Sequence, residues 1–188
     1  MDMRTQILAS AQRLVQQRGF NGFSYADIAE EVGIRKASLH HHFPSKADLG
    51  KALMETYTVQ LEGELLRIAG LSSKAERKLR AYVAIYRGTF EAGRMCLGGM
   101  LASDWLTLDA SILPVLKRFF IYNTKWLTGI LTEGKSQKQF VFRGSPEAQA
   151  FVILSTLQGA LLIARATGDL KGFDQTTSLL LTGLSKKG

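Results

Sequence analysis

Three features of the 188-residue sequence predict an all-α fold. Apolar residues recur at the i, i+3, i+4 spacing of a helix in one segment after another. No stretch alternates apolar and polar residues for long enough to build a sheet. The breakers fall in clusters, such as "EAGR", "TLDAS", "EGKSQKQFVFRGSP" and "TGDLKGFD", and the whole chain holds only 3 prolines.

Residues 3–18 make the first helix, with Ile7, Leu8, Ala11, Leu14 and Val15 on one face and Gly19 to stop it. Ser24, followed three residues later by Asp27, has the form of a capping box that starts a short second helix. Ala26, Ile28, Ala29 and Val32 supply its apolar side, and Gly33 is placed to end it in the left-handed conformation. A third helix follows from about Lys36 to His42, and Ser45 caps a fourth that runs to about residue 69. Further helices are expected over about 73–92, 98–107, 112–133, 146–167 and 173–185. "QFVF" at 139–142 is a candidate extended piece.

Composition narrows the class. Hydrophobic content of 46% is that of a globular protein. Uninterrupted apolar runs such as "GALLIA" fall short of the ~20 residues that span a bilayer, so no membrane partner is expected. The alternating N-terminal segment resembles neither a secretory leader nor an anchor, and a single cysteine excludes an internal disulfide framework. A cytoplasmic location is the expectation. The net charge of +8 permits a polyanionic partner without locating it, since residues 1–46 carry only six Lys/Arg against four Asp/Glu.

"LHHHFPSK", residues 39–46, contains every histidine of the chain. Adjacent residues on a helix point ~100° apart, so His40, His41 and His42 do not converge on one metal ion, and the lone cysteine is more than fifty residues away. Leu39 and Phe43, one turn apart, should face inward, with His42 at the edge of that face. Ala37, Ser38, His40 and His41 then point outward, with Lys36 at the exposed end. A small, hydroxylated, imidazole-bearing face has the chemistry to meet base edges and phosphates. The plainer alternative is that the histidines are solvated helix residues. Ala29, Gly33 and Leu39 stand where a helix-turn-helix needs a small contact, a corner and a plug.

The segment "SYADIAEEVGIRKASLHHHFPSKADL" resembles the DNA-binding signature of the TetR family of transcriptional regulators, and the match extends over residues 4–50. His40 stands where that family usually has tyrosine. The resemblance implies an N-terminal three-helix helix-turn-helix domain at 1–46 and a helical effector-binding and dimerisation domain at 47–188. It implies that Lys36, Ala37, Ser38, His40 and His41 face the major groove of double-stranded DNA. Ser24, Tyr25, His42 and Lys46 would position the DNA backbone. A palindromic operator, a homodimer, repression and release by a small-molecule effector are the family's habits, and histidines titrating near neutral pH would make binding pH-sensitive. The fourth helix, ~36 Å long at 1.5 Å per residue, would link the DNA-reading head to the body. Effector binding in the family tilts this link, and full switching needs ~5.5 kcal/mol of differential affinity.

Aromatic and sulfur-bearing residues are candidates for the effector pocket: Tyr82, Tyr86, Phe90, Met95, Met100, Trp105, Phe119, Tyr122 and Trp126, with Gln158 as a polar anchor. Each also fits a plain core role. Cys96, between Arg94 and "LGG", fits either a small buried hydrophobe or an electrophile-sensing thiol at a helix N-terminus. The effector is therefore expected to be apolar, aromatic or electrophilic. The last two helices are apolar on more than one side, through Ala148, Phe151, Val152, Leu154, Leu157, Ala160, Leu161, Ala164, Leu179, Leu180, Leu181 and Leu184, which suits burial against a second copy. No metal-ligand spacing, phosphate loop or serine elbow occurs, so neither an enzyme nor a cofactor is expected. A helical small-molecule carrier without operator binding is the alternative.

Overall fold

The computed structural model describes residues 2–185. Among them the chain forms α1 (Met3–Arg18), α2 (Tyr25–Val32), α3 (Lys36–His42), α4 (Lys46–Leu71), α5 (Ala75–Glu91), α6 (Leu97–Ser103), α7 (Leu113–Ser136), α8 (Pro146–Thr167) and α9 (Leu170–Leu184), with a single 3-10 turn at Trp105–Thr107. The all-helical expectation holds, and the caps explain the boundaries. Ser24 and Asp27 form the capping box of α2, each side chain meeting the other's backbone N–H. The Ser145 side chain accepts from the Ala148 N–H to start α8, and Gly168 ends that helix in the left-handed conformation.

The structure departs from the sequence reading at several places. The segment expected as one helix over 98–107 breaks at Asp104, whose carboxylate accepts a hydrogen bond from the Phe20 N–H at 2.9 Å. The chain continues as a 3-10 turn, with the Thr107 N–H donating to the Asp104 carbonyl. The last helix starts at Leu170 rather than 173, because the Asp169 side chain accepts from the Gly172 N–H. "QFVF" contributes one antiparallel bridge, Phe140 with Ser185.

The helices group into two compact units: the chain up to Gln60 with Arg94–Phe119, and Leu61–Gly93 with the chain from Phe120 onward. The first unit takes in the helix-turn-helix together with the start of α4, α6 and the start of α7. Long-range bonds account for this. The Gln16 amide donates to the Met95 carbonyl at 2.8 Å, and Asn21 donates to the Thr107 hydroxyl at 2.7 Å. Gly98 is required for close approach, since a Cβ there would lie 2.4 Å from the Phe119 ring. The core of this unit includes Ile7, Leu14, Ile28, Leu39, Leu49, Leu53 and Met54, all buried.

In the second unit α5, α8 and α9 pack around Leu79, Tyr82, Leu157, Leu161 and Phe173. A pair of ions, Lys78 and Glu133 at 2.9 Å, closes the end of α5 against α7. An 18-residue window of α8 has a mean hydropathy of 1.5, so by length and composition alone this helix could cross a membrane, although its uninterrupted apolar runs are short. The uncharged polar residues Ser155, Thr156 and Gln158 interrupt the runs without lowering the average much. The apolar side chains divide between an inner face, with Ile153, Leu157 and Leu161 buried, and an outer face that exposes Phe151, Val152, Leu162 and Ile163.

Candidate nucleic-acid interface and aromatic cluster

The helix-turn-helix is built around one corner and one plug. Gly33 adopts φ 74°, ψ 35°, a conformation that costs a residue with a Cβ, and the Ile34 N–H returns to the Ala29 carbonyl at 2.9 Å. Leu39 and Phe43 are buried, which turns Lys36, Ala37, His40 and His41 to solvent and leaves Ser38 and His42 half-buried. The three imidazoles diverge as helical geometry requires. His40 leans over the Tyr25 ring at 4.8 Å, with Nδ1 3.3 Å from the Pro44 carbonyl, while His41 and His42 meet edge-on at 5.7 Å. A carbonyl only accepts, so in that contact Nδ1 carries the proton, and Nε2 of the neutral ring is an acceptor.

Tyr25 and Lys46 each make bonds within the chain at the corner of the helix-turn-helix. The Tyr25 hydroxyl donates to the carbonyls of Phe43 (3.0 Å) and Ser45 (2.6 Å), bracing the turn between α3 and α4. Burial, reinforced by the Asp48 carboxylate, pushes its phenol up to about 12. Lys46 Nζ donates to the Phe23 carbonyl at 2.6 Å and lies over the rings of Phe23 (4.2 Å) and Phe20 (5.1 Å). Burial lowers its pKa, against the opposing pull of Asp104 and Asp27. Both side chains therefore hold the corner of the fold. The Ser24 N–H and hydroxyl are likewise engaged by the Asp27 carboxylate, at 2.7 and 2.6 Å, and the hydroxyl bond is the main reason that carboxyl titrates below its usual range. Arg35, which the sequence reading passed over, is exposed at the N-cap of α3 and makes no side-chain capping bond. Its position immediately before Lys36 was the available signal.

The second unit gathers an aromatic cluster. Tyr82, fully buried, donates to the Asn123 amide oxygen at 2.8 Å and stacks on Trp126 at 5.4 Å. The Tyr82 and Tyr86 hydroxyls are 3.4 Å apart, and the Gln158 amide reaches the Tyr86 hydroxyl at 3.5 Å. Phe90 and Tyr122 are half-buried in the same unit, and burial, then Glu62, raises the Tyr122 phenol. Asn123 was missed, although a lone amide among apolar residues at helical spacing on α7 marks it. Cys96, Met100 and Trp105 belong to the first unit. Cys96 is buried at the N-cap of α6, Met100 lies against Gly19, and Trp105 is exposed. Among the described residues no cluster of His, Cys, Asp and Glu is arranged to hold a metal ion.

The profile of bacterial regulatory proteins of the tetR family matches residues 7–53. Beyond that segment, the crystal structure of a TetR-family transcriptional regulator from Agrobacterium tumefaciens is 35% identical, covers 97% of each chain and superposes with a TM-score of 0.94. The chain belongs to the TetR family. A TetR regulator from Legionella pneumophila is similar to the same extent, with 34% identity, 98% of each chain and a TM-score of 0.90. The transcriptional repressor NemR of Escherichia coli is 25% identical over 87% of this chain and 84% of its own length. The protein is thus a TetR-family helix-turn-helix transcriptional regulator rather than an enzyme. Regulators of this family bind DNA and small-molecule effectors and act as dimers.

Proposed function

We propose that the protein is a cytoplasmic, homodimeric repressor that reads a palindromic operator and is released from it by a small apolar or aromatic effector. The observation that carries the reading is the outward face of α3, where Lys36, Ala37, His40 and His41 are exposed around the inward plug of Leu39 and Phe43. Ser38 and Arg35 extend that face, while Ser24, Tyr25, His42 and Lys46, at the N-cap of α2, the end of α3 and the start of α4, position the DNA backbone. Two recognition helices must sit ~34–36 Å apart to enter successive major grooves, which calls for a second copy. The exposed apolar residues of α8, with Leu179 on α9, are the surface for that copy.

The cluster of Tyr82, Tyr86, Trp126, Asn123 and Gln158 supports an aromatic effector that carries a hydrogen-bonding group. An electrophile acting on Cys96 is the less favoured arm, because that side chain is only 5% exposed. The test is selection of bound duplexes from a random pool by the purified protein, followed by titration at two salt concentrations. A palindromic consensus bound well above random DNA is expected. Recovery of salt-sensitive, sequence-independent binding alone would overturn operator reading.

A further inference from the structure

The first unit contains an open cavity of about 650 Å3, a volume in the range of small-molecule sites, walled by α1, the end of α2 and the middle of α4. Three arginines, Arg4, Arg13 and Arg94, line it against a single carboxylate, Glu31. Glu31 is already engaged: Arg13 forms a two-point ion pair with it, and the Ser10 hydroxyl donates to it at 2.8 Å. Arg94 has no such counterpart. Its Nε is sealed from solvent and, among the described residues, meets no hydrogen-bond acceptor. Arg94 as a whole is half-buried and borders the cavity, and among the described residues no carboxylate pairs with it, so its positive charge is left for an occupant of the cavity to meet.

The chain beside Arg94 is fixed. Met95 is held to α1 by reciprocal bonds, its N–H donating to the Gln16 carbonyl at 3.0 Å and its carbonyl accepting from the Gln16 amide at 2.8 Å. The main chain that carries Arg94 is therefore held at the cavity wall. The α4 wall offers neutral hydrogen-bonding groups, Thr56 and Gln60, and no aromatic ring lines the cavity, so its chemistry is opposite to that of the Tyr82 cluster. A DNA phosphate held at the first residue of α4 would be ~15 Å or more from this wall, at 1.5 Å per residue.

We propose that this cavity binds a small hydrophilic oxyanion, a carboxylate or phosphate carried by a polar molecule. Arg94 and Arg4 meet its charge through charge-assisted hydrogen bonds, and Thr56 and Gln60 meet its remaining oxygens. The site goes beyond operator reading and does not depend on it. The test uses the full chain, with thermal unfolding and calorimetric titration against citrate, inorganic phosphate and chloride at constant ionic strength. A saturable rise in Tm with citrate alone assigns a carboxylate ligand, and one with phosphate alone, or with both, assigns the oxyanion more broadly. In Arg94→Gln the affinity should fall at least tenfold. Gln60→Glu, at an exposed position that leaves the core untouched, should do the same by charge repulsion. No saturable rise with either probe, or an equal rise in Gln60→Glu, overturns the proposal. A failed duplex selection leaves this result standing, and the reverse also holds.

Discussion

α3 and α8 each turn a face away from their own unit, and the chemistry of the two faces is opposite. α3 presents Lys36, Ala37, His40 and His41, groups that water solvates well. α8 presents Phe151, Val152, Leu162 and Ile163, with Phe151 67% and Ile163 65% exposed. The first face is at home in water, and under the proposed function DNA would replace that solvent. The second keeps large apolar side chains in water unless another surface covers them. Exposure alone therefore does not tell what a helix recognises. The hydration of the exposed groups separates a face that binds reversibly from one that belongs in an interface.

Three measurements would break or sharpen this contrast. The largest effect is expected for Leu39→Ala, which removes the fully buried plug beneath α3. A loss of ~2–5 kcal/mol in urea unfolding is expected, together with loss of duplex binding even though no outward residue changes. Retained DNA affinity would show that the outward face does not depend on the plug. Next, Phe151→Asp should convert the dimer to monomer in analytical ultracentrifugation, with the helical content by circular dichroism unchanged. Burying that side chain is worth ~1.5–3 kcal/mol, and the new carboxylate adds a desolvation penalty. A dimer that persists unchanged would place the interface elsewhere.

The smallest effect concerns Tyr25. Its phenol is pushed from 10.0 up to about 12 in the folded protein, so the folded state favours the protonated form. That contribution is complete below the unfolded value, and it is lost as pH rises from 10 towards 12. The urea midpoint of the native protein should fall more steeply over that window than that of Tyr25→Phe, which has no proton to lose. Parallel curves would show that burial and the Asp48 carboxylate do not hold the proton on Tyr25.

The sequence by itself determined the features that depend on near neighbours. The capping box of Ser24 with Asp27, the left-handed Gly33, the limits of α3 and α8 and the inward turn of Leu39 and Phe43 all arise within a few residues, where spacing and residue type decide the outcome. Tertiary structure alone decided where the polar atoms go. The Tyr25 hydroxyl finds carbonyls 18 and 20 residues away, Lys46 finds one 23 residues back, and Asp104 gives up a continuous helix to bond an N–H 84 residues earlier. The candidate effector residues looked alike in the sequence because their aromatic and sulfur-bearing side chains share one chemistry. Packing divided them, gathering Tyr86, Trp126 and Gln158 into one unit and Cys96, Met100 and Trp105 into the other. The Nε of Arg94, without an acceptor among the described residues, was invisible for the same reason: only neighbours in space can seal one atom of a half-buried arginine from water without providing an acceptor.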